Sequence, residues 1–545
     1  MSGQAHEERE RSFGAAKLIA TLTVVSRVFG MVRDIAITSL GANRAVSAFV
    51  FAFKVPNLFR RLFGEGALSA AFVPVFSESS EQEGFERARR LFANAMGLLA
   101  AGLSGLTVLI WIGLLGWHAL WPGEWDRQLL IELLAIMMPF MITICLLALG
   151  SAALNCRGHF AFPAAAPILL NLVIIAAAWT IVPPWRRDPH SITPGELYRL
   201  GGAVTLAGVI QLVGVLWMLK RYGFSIRPRL RPIEPGIGQI LRLMGPMIVG
   251  LGFLQVSELL NDAIAWIFAQ REGATTVSLF GHELARPLGS GVLVHVYAAQ
   301  RLYQFPMGVL AISLAVAVFP LLSRYAARGD NENLRSALNR AVRLSGMEGI
   351  AAGVGMFLLA EPITRVIYRH GKFTAADVAV SASILRMYVV GMWAYCTLGV
   401  LQRAFYSLKD TVTPLKISCS LVVANLALVA GLIWTPLHER AFGAAMTVTA
   451  TANSLLLLVL LRRRLGRLGA RAMLLSIARA AGCAAVMGGV ILLLRWPLER
   501  FGALAVVGAC VPAGAATFVA AAWVLRAPEL GELVSSLRKR GKMVS

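Results

Sequence analysis

Long apolar stretches alternate with short polar segments over almost the whole chain. Runs such as Gly97–Gly116 and Ile417–Thr435 contain no charged residue. Each can cross a bilayer core as a helix of roughly 20 residues. The pattern predicts about fourteen spans, near 14–40, 46–76, 92–116, 129–154, 161–182, 200–219, 237–270, 288–322, 344–368, 377–405, 417–436, 442–461, 472–494 and 501–525. A closed barrel is the other structure that satisfies its backbone in lipid, and its short alternating strands are not seen. The fold expected is an all-α polytopic membrane protein.

Composition agrees. Of 545 residues, 57% are hydrophobic and 15% charged, against about 25% charged in soluble domains. A net charge of +23 would suggest nucleic acid in a soluble protein. Here the cations cluster in alternate connecting segments, among them 220–231, 324–343, 462–471 and 538–542. That bias predicts both termini in the cytoplasm and no nucleic-acid partner. Met1–Ser12 is polar and not a secretory leader, so the first span is expected to stay in the mature protein. The six cysteines form no C-x-x-C pair and read as small apolar residues. No H-E-x-x-H metal motif or G-x-x-x-x-G-K-[ST] ATP loop occurs, so no cofactor is expected beyond an ion or the membrane potential.

Two parts of the chain look alike. Ala71-Phe72-Val73-Pro74-Val75-Phe76-Ser77 matches Ala317-Val318-Phe319-Pro320-Leu321-Leu322-Ser323, and Pro163 and Pro414 recur at nearly the same offset. Chance likeness of apolar sequence is the competing explanation. The repeat predicts two parallel six-span halves, 14–219 and 237–461, joined by a basic cytoplasmic linker at 220–236. A cytoplasmic segment, 1–13, precedes them; two extra helices, 472–525, and a basic cytoplasmic tail, 526–545, follow. Transporters built from such repeats bind substrate near the midplane and rock one half against the other.

Several cations fall inside spans: Arg27, Arg33, Lys54, Arg60, Arg61, Arg242, Arg301, Arg365, Arg386, Arg403 and Arg479. Arg242, Arg365, Arg403 and Arg479 lie near span ends, where long side chains reach the headgroups. Arg27, Arg33, Arg60 and Arg301 lie deeper, where facing lipid would cost about 3 kcal/mol each. They must line water, pair with acids or meet an anion. Arg27 and Asp34 share a helix face at i,i+7, and Arg61 and Glu65 are spaced for an i,i+4 pair. Arg33, Arg60 and Arg301 have no evident local partner, and Glu258 or Asp262 could satisfy them as structural pairs. The alternative is phosphate, which suits the planar guanidinium fork. Pro56, Gly64 and Gly66 in the second span and Pro306 and Gly308 in the eighth interrupt the helices at corresponding depths. Such breaks point to a binding site, although packing kinks are common in membrane helices.

These motifs carry a resemblance. Ser26-Arg27-Val28-Phe29-Gly30-Met31-Val32-Arg33-Asp34 and the run from Ala52 to Pro74, with Lys54-Val55-Pro56-Asn57-Leu58-Phe59-Arg60-Arg61 and Gly64-Glu65-Gly66 inside it, resemble the MurJ (MviN) lipid II flippases. Phe305-Pro306-Met307-Gly308, Gly371-Lys372-Phe373-Thr374, Phe405-Tyr406-Ser407 and Thr413-Pro414 follow in family order. The resemblance implies the multidrug/oligosaccharidyl-lipid/polysaccharide exporter superfamily, with two six-helix bundles around a cavity and helices 13 and 14 forming a groove for a lipid tail. The substrate implied is lipid II, undecaprenyl pyrophosphate carrying a disaccharide-pentapeptide. Membrane lipids and other cell wall synthesis proteins are the further partners. Arg27, Arg33, Arg60 and Arg301 match the family's essential arginines, with Asp34, Lys54, Arg61 and Glu65 in support. Ser47 and Gln300 stand where many members carry acids, which makes this cavity more positive. A sodium site known in some members would fall on Asp262, Asn425 and Thr451.

The function expected is outward flipping of lipid II by alternating access, without enzymatic chemistry. Export of another polyprenyl-pyrophosphate-linked saccharide and a non-transporting scaffold are the alternatives. A cationic-drug exporter would need acids in place of the arginines. A glycosyltransferase would need a catalytic acid, for which Glu124 and Asp126 are the loop candidates. The stretch Glu272–Ser290 is unusually long for a connection and fits none of these readings.

Overall fold

The computed structural model describes residues 2–64, 67–120, 124–183, 191–271, 273–279, 281–529 and 531. Glu65, Gly66 and most of the predicted tail lie outside these residues. The chain forms two compact units, one of 1–267 with 290–294 and 370–372, the other of the remaining segments.

The first unit holds α1 (Ser2–Thr38), α2 (Arg44–Phe59), a π-helical turn (Arg60–Gly64), α3 (Ala67–Gln82), α4 (Phe85–Leu120), α5 (Trp125–Met137), α6 (Pro139–Cys156), α7 (Ala161–Ile181), α8 (Pro194–Arg221) and nearly all of α9 (Pro235–Phe268). Local chemistry sets several boundaries. The Asn43 side chain accepts the Val46 N–H and starts α2. Thr193 and Glu196 form a capping box at the start of α8, which satisfies otherwise orphaned donors. Pro139 opens α6 and breaks the predicted span 129–154 into two helices. The predicted linker is pinned to α4: the Arg229 N–H bonds the Ala93 carbonyl, and Asn94 bridges the Arg229 carbonyl and the Glu234 N–H. Gly97 leaves room for this, since a Cβ there would collide with the Arg229 backbone.

The second unit contains a hairpin, β1 (Thr276–Leu279) and β2 (His282–Ala285), then α10 (Val292–Ala327) from His295 onward, α11 (Asn331–Tyr368), α12 (Ala375–Val390), α13 (Met392–Ser407), α14 (Val412–Leu432), α15 (Ala441–Leu465), α16 (Ala470–Leu498) and α17 (Ala503–Val524). The hairpin accounts for the unexplained stretch before α10. Gly281 supplies the positive φ of its turn, and Arg286 ties its base to the carbonyls of Thr276 and Ala269. In the rest of the unit, α11 packs against α12, α13, α16 and α17.

Ten helices are long and apolar enough to cross a membrane among the described residues, or eleven when α12 and α13, bent by 44°, count as one span. The sequence predicted about fourteen. The three predicted spans outside this set, 14–40, 46–76 and 237–270, fall on α1, on α2 with α3, and on α9. These segments carry Arg27, Arg33, Lys54, Arg60, Arg61 and Arg242 along with the acids Asp34, Glu258 and Asp262.

Candidate functional site

In the first unit the predicted cations gather on α1, on α2 with its π turn, and on the helices facing them. The Pro56 ring removes a backbone donor, and one turn later the helix widens into the π turn that carries Arg60 and Arg61. Insertions of this kind are frequent at functional sites. Arg60 Nε bonds the neutral amide of Asn57 at 3.2 Å, and Asn57 in turn donates to the Phe53 carbonyl.

Charge pairing differs from the sequence expectation at Asp34 and Arg33. Asp34 takes its neighbour Arg33, at 2.6 Å, as ion partner, so Arg33 has the local partner that spacing did not reveal. The Asn171 amide oxygen on α7 accepts from Arg33 at 3.1 Å, and the guanidinium also lies 5.7 Å from the Phe53 ring. Arg27, the partner expected for Asp34, is exposed and pairs with no carboxylate among the described residues. Arg61 reaches α9, bonding Glu258 at 2.7 Å and Gln255 at 2.9 Å; Glu65, its expected partner, lies outside the described residues.

Lys54 and Asp262 meet at 2.8 Å, with side chains 17% and 5% exposed. Asp262 Oδ2 is buried without a hydrogen-bond partner among the described residues. The ammonium of Lys54 thus neutralises this carboxylate. The other sodium candidates are on α14 and α15, where Asn425 donates to Thr449 at 3.3 Å. Ser47 is buried and donates to the Ser290 carbonyl. Of the cations in this unit, Arg33 pairs with Asp34, Lys54 with Asp262 and Arg61 with Glu258. Gly64 ends the π turn; Gly66, the other predicted break there, is outside the described residues.

The second unit contributes Arg301 on α10. Its NH1 bonds Gln304 at 3.1 Å, and the guanidinium lies 4.8 Å from the Tyr297 ring. Gln300 donates to the Tyr388 hydroxyl, and Tyr388 stacks on Tyr303. Pro306 and Gly308 lie inside α10, which continues through them as one helix. An apolar cavity of about 420 Å³ opens among α11, α13, α15 and α16, with Met347, Trp393, Leu401, Leu458, Met473 and Ile477 in its walls. At its edge Arg343 pairs with the buried Glu529. Burial raises the Glu529 pKa, but the Ser476 hydroxyl, a backbone N–H and Arg343 outweigh that and hold it below the ordinary range.

The loop acids weighed as catalytic groups are otherwise engaged. Asp126 is buried against Arg44, which also bonds the Trp266 carbonyl and stacks over its ring, and Glu124 pairs with Arg127.

The profile of the family described as "Lipid II flippase MurJ" matches residues 36–507. The chain belongs to the lipid II flippase MurJ family. A protein of Rhizobium tropici named "Probable lipid II flippase MurJ" is 30% identical over 534 residues, covering 95% of each chain. A solved structure titled "Lipid II flippase MurJ, inward closed conformation" superposes with a TM-score of 0.73 at 21% identity, over 93% of this chain and 98% of that one. An inward-facing multidrug resistance MATE transporter of the MOP superfamily gives 0.64 at 15% identity, over 83% and 98%. At these identities the two structures speak for the fold alone, a polytopic helical transporter fold shared by MurJ and MATE proteins.

Sequence reasoning missed Asn171, Gln255 and the Tyr297–Tyr303–Tyr388 group around Arg301. An asparagine inside the apolar run of α7 was the one visible signal, because a buried amide needs a partner.

Proposed function

We propose that this MurJ-family protein flips lipid II from the inner to the outer leaflet of the bacterial cytoplasmic membrane by alternating access, supplying cell wall synthesis. What carries the reading is membership of the family over 36–507, nearly the whole membrane-embedded length. Both termini lie in the cytoplasm, as the distribution of basic connecting segments requires. The protein moves its substrate and does not alter it.

In the first unit the pyrophosphate is assigned to Arg27, Arg33 and Arg60, with Lys54, Arg61, Asp34 and Ser47 in support; in the second unit Arg301, with Gln300 beside it, is assigned an anion contact of its own. The two arginines carried by the π turn support this assignment, since charge-assisted bonds from guanidinium to phosphate are among the strongest available. Asp34 orients Arg33 while the phosphate approaches. The apolar cavity beside α16 offers the polyprenyl tail a lining free of unsatisfied polar groups. An inside-negative potential drives an anionic head group outward, worth about 2.3 kcal/mol per charge per 100 mV.

The test is complementation of cells depleted of their own flippase, with lipid II in the outer leaflet measured directly. Wild type should restore both growth and outward lipid II. Arg27→Ala, Arg60→Ala and Arg301→Ala at normal protein levels should restore neither. Growth on all three variants would remove the phosphate assignment. Growth on wild type without outward lipid II would point to a scaffold.

A further inference from the structure

Glu348 sits on α11, one turn inside the predicted span 344–368, and the function above does not use it. Its side chain is half-buried, and Oε2 is buried without a hydrogen-bond partner among the described residues. Its chain neighbours Ser345, Gly346, Met347 and Gly349 are all buried, so this carboxyl is packed into the helix bundle.

The surroundings offer no counter-charge. Of the helices packed against α11, α13 presents the Cys396 thiol, the one titratable group that interacts with Glu348. No charged group on α12, α13, α16 or α17 acts on it among the described residues. Cys483 of α16 and Cys510 of α17 belong to the apolar cluster around Met347. On α11 itself, Arg343 is committed to Glu529 and Arg365 to Glu361.

An ionised carboxylate in such a place has no cation beside it and leaves Oε2 without a donor among the described residues, whereas the protonated acid needs no counter-ion. An ionisable residue kept inside a membrane span under these conditions marks an ion or proton path. The side chain is only half-buried, so one side of the carboxyl is not enclosed by the bundle.

Resting on the transport reading above, we propose that Glu348 is a proton-binding site of this transporter. A proton from water adds to the carboxylate in one phase of the cycle and returns to water in another. The change of charge in the second unit then couples a proton gradient to movement of the head group.

Two measurements on the full-length protein separate this proposal from the function it rests on. Infrared difference spectra against pH should show a protonated carboxyl band that titrates in wild type, vanishes in Glu348→Gln and moves in Glu348→Asp. An unchanged band in both variants would overturn the site, whether or not lipid II is flipped. In proteoliposomes, an imposed proton gradient should change wild-type lipid II flipping severalfold and leave the rate of Glu348→Gln unaltered. Wild-type flipping that ignores the gradient would overturn the coupling and spare the function. No flipping in wild type, with the band intact, would overturn the function and spare the site.

Discussion

The Lys54–Asp262 pair makes the most exacting test of the cation cluster, because its two halves are unequally buried. Asp262 is 5% exposed and already has one oxygen without a partner. Lys54 is 17% exposed and can extend its ammonium towards water. Replacing Lys54 with Met strands a buried carboxylate, which should cost about 3–5 kcal/mol. Asp262→Asn keeps an amide oxygen in place to accept from Lys54, so it should cost about 1–2 kcal/mol. In the double variant no charge remains, and its stability should fall close to that of Asp262→Asn. The cycle then gives a coupling of about 3–5 kcal/mol, the whole cost of Lys54→Met. The assay is unfolding of purified full-length protein in detergent, run as a four-protein cycle. Equal costs for the two single variants, adding in the double, would refute the argument. The same samples address sodium. With Lys54 on Asp262, sodium should stabilise wild type no more than potassium at equal ionic strength; specific binding would stabilise it in proportion to the logarithm of concentration.

Three further outcomes are expected. Arg44→Met should destabilise the fold by about 3–5 kcal/mol by stranding the buried Asp126, and adding Asp126→Leu should recover most of the loss, read by thermal unfolding. Gly97→Val should push the linker off α4 at a cost of about 1–3 kcal/mol, seen as faster protease cleavage within 220–236. Asp410, before α14, is held down at about 2 by the Thr413 hydroxyl and N–H with Arg464 beside it. Its folded value is below its unfolded value of about 4, so its contribution is full above about pH 4 and lost as pH falls towards 2. Asp410→Ala should flatten stability over that window and cost about 1 kcal/mol near neutral pH.

Much of the fold was legible in the sequence, and so was the family. The Ser26–Asp34 motif and the run around Pro56 and Arg60 carried the family resemblance, and apolar runs marked eleven of the fourteen expected spans. Legibility stopped at the partners. Spacing offered Arg27 to Asp34, whereas the folded chain joins Asp34 to Arg33; it also joins Arg61 to Glu258 some two hundred residues away, a pair no local spacing suggests. Glu272–Ser290 had no reading, because a short exposed hairpin with a single turn glycine leaves little periodicity. Glu348 was overlooked beside the acids near the arginines, since only packing shows that its carboxyl oxygen lacks a partner.

The sequence by itself determined the helical membrane class, most of the long apolar segments, and which motif the chain shares with its relatives. Each of these is a sum over neighbouring residues, because transfer from water to hydrocarbon is paid locally along a helix. Only the tertiary structure decided which cation neutralises which acid, where the helix widens into a π turn, and which carboxyl is left alone. Those depend on which helix faces meet, and interactions of that kind fall off within a few ångströms while the residues making them lie far apart in sequence.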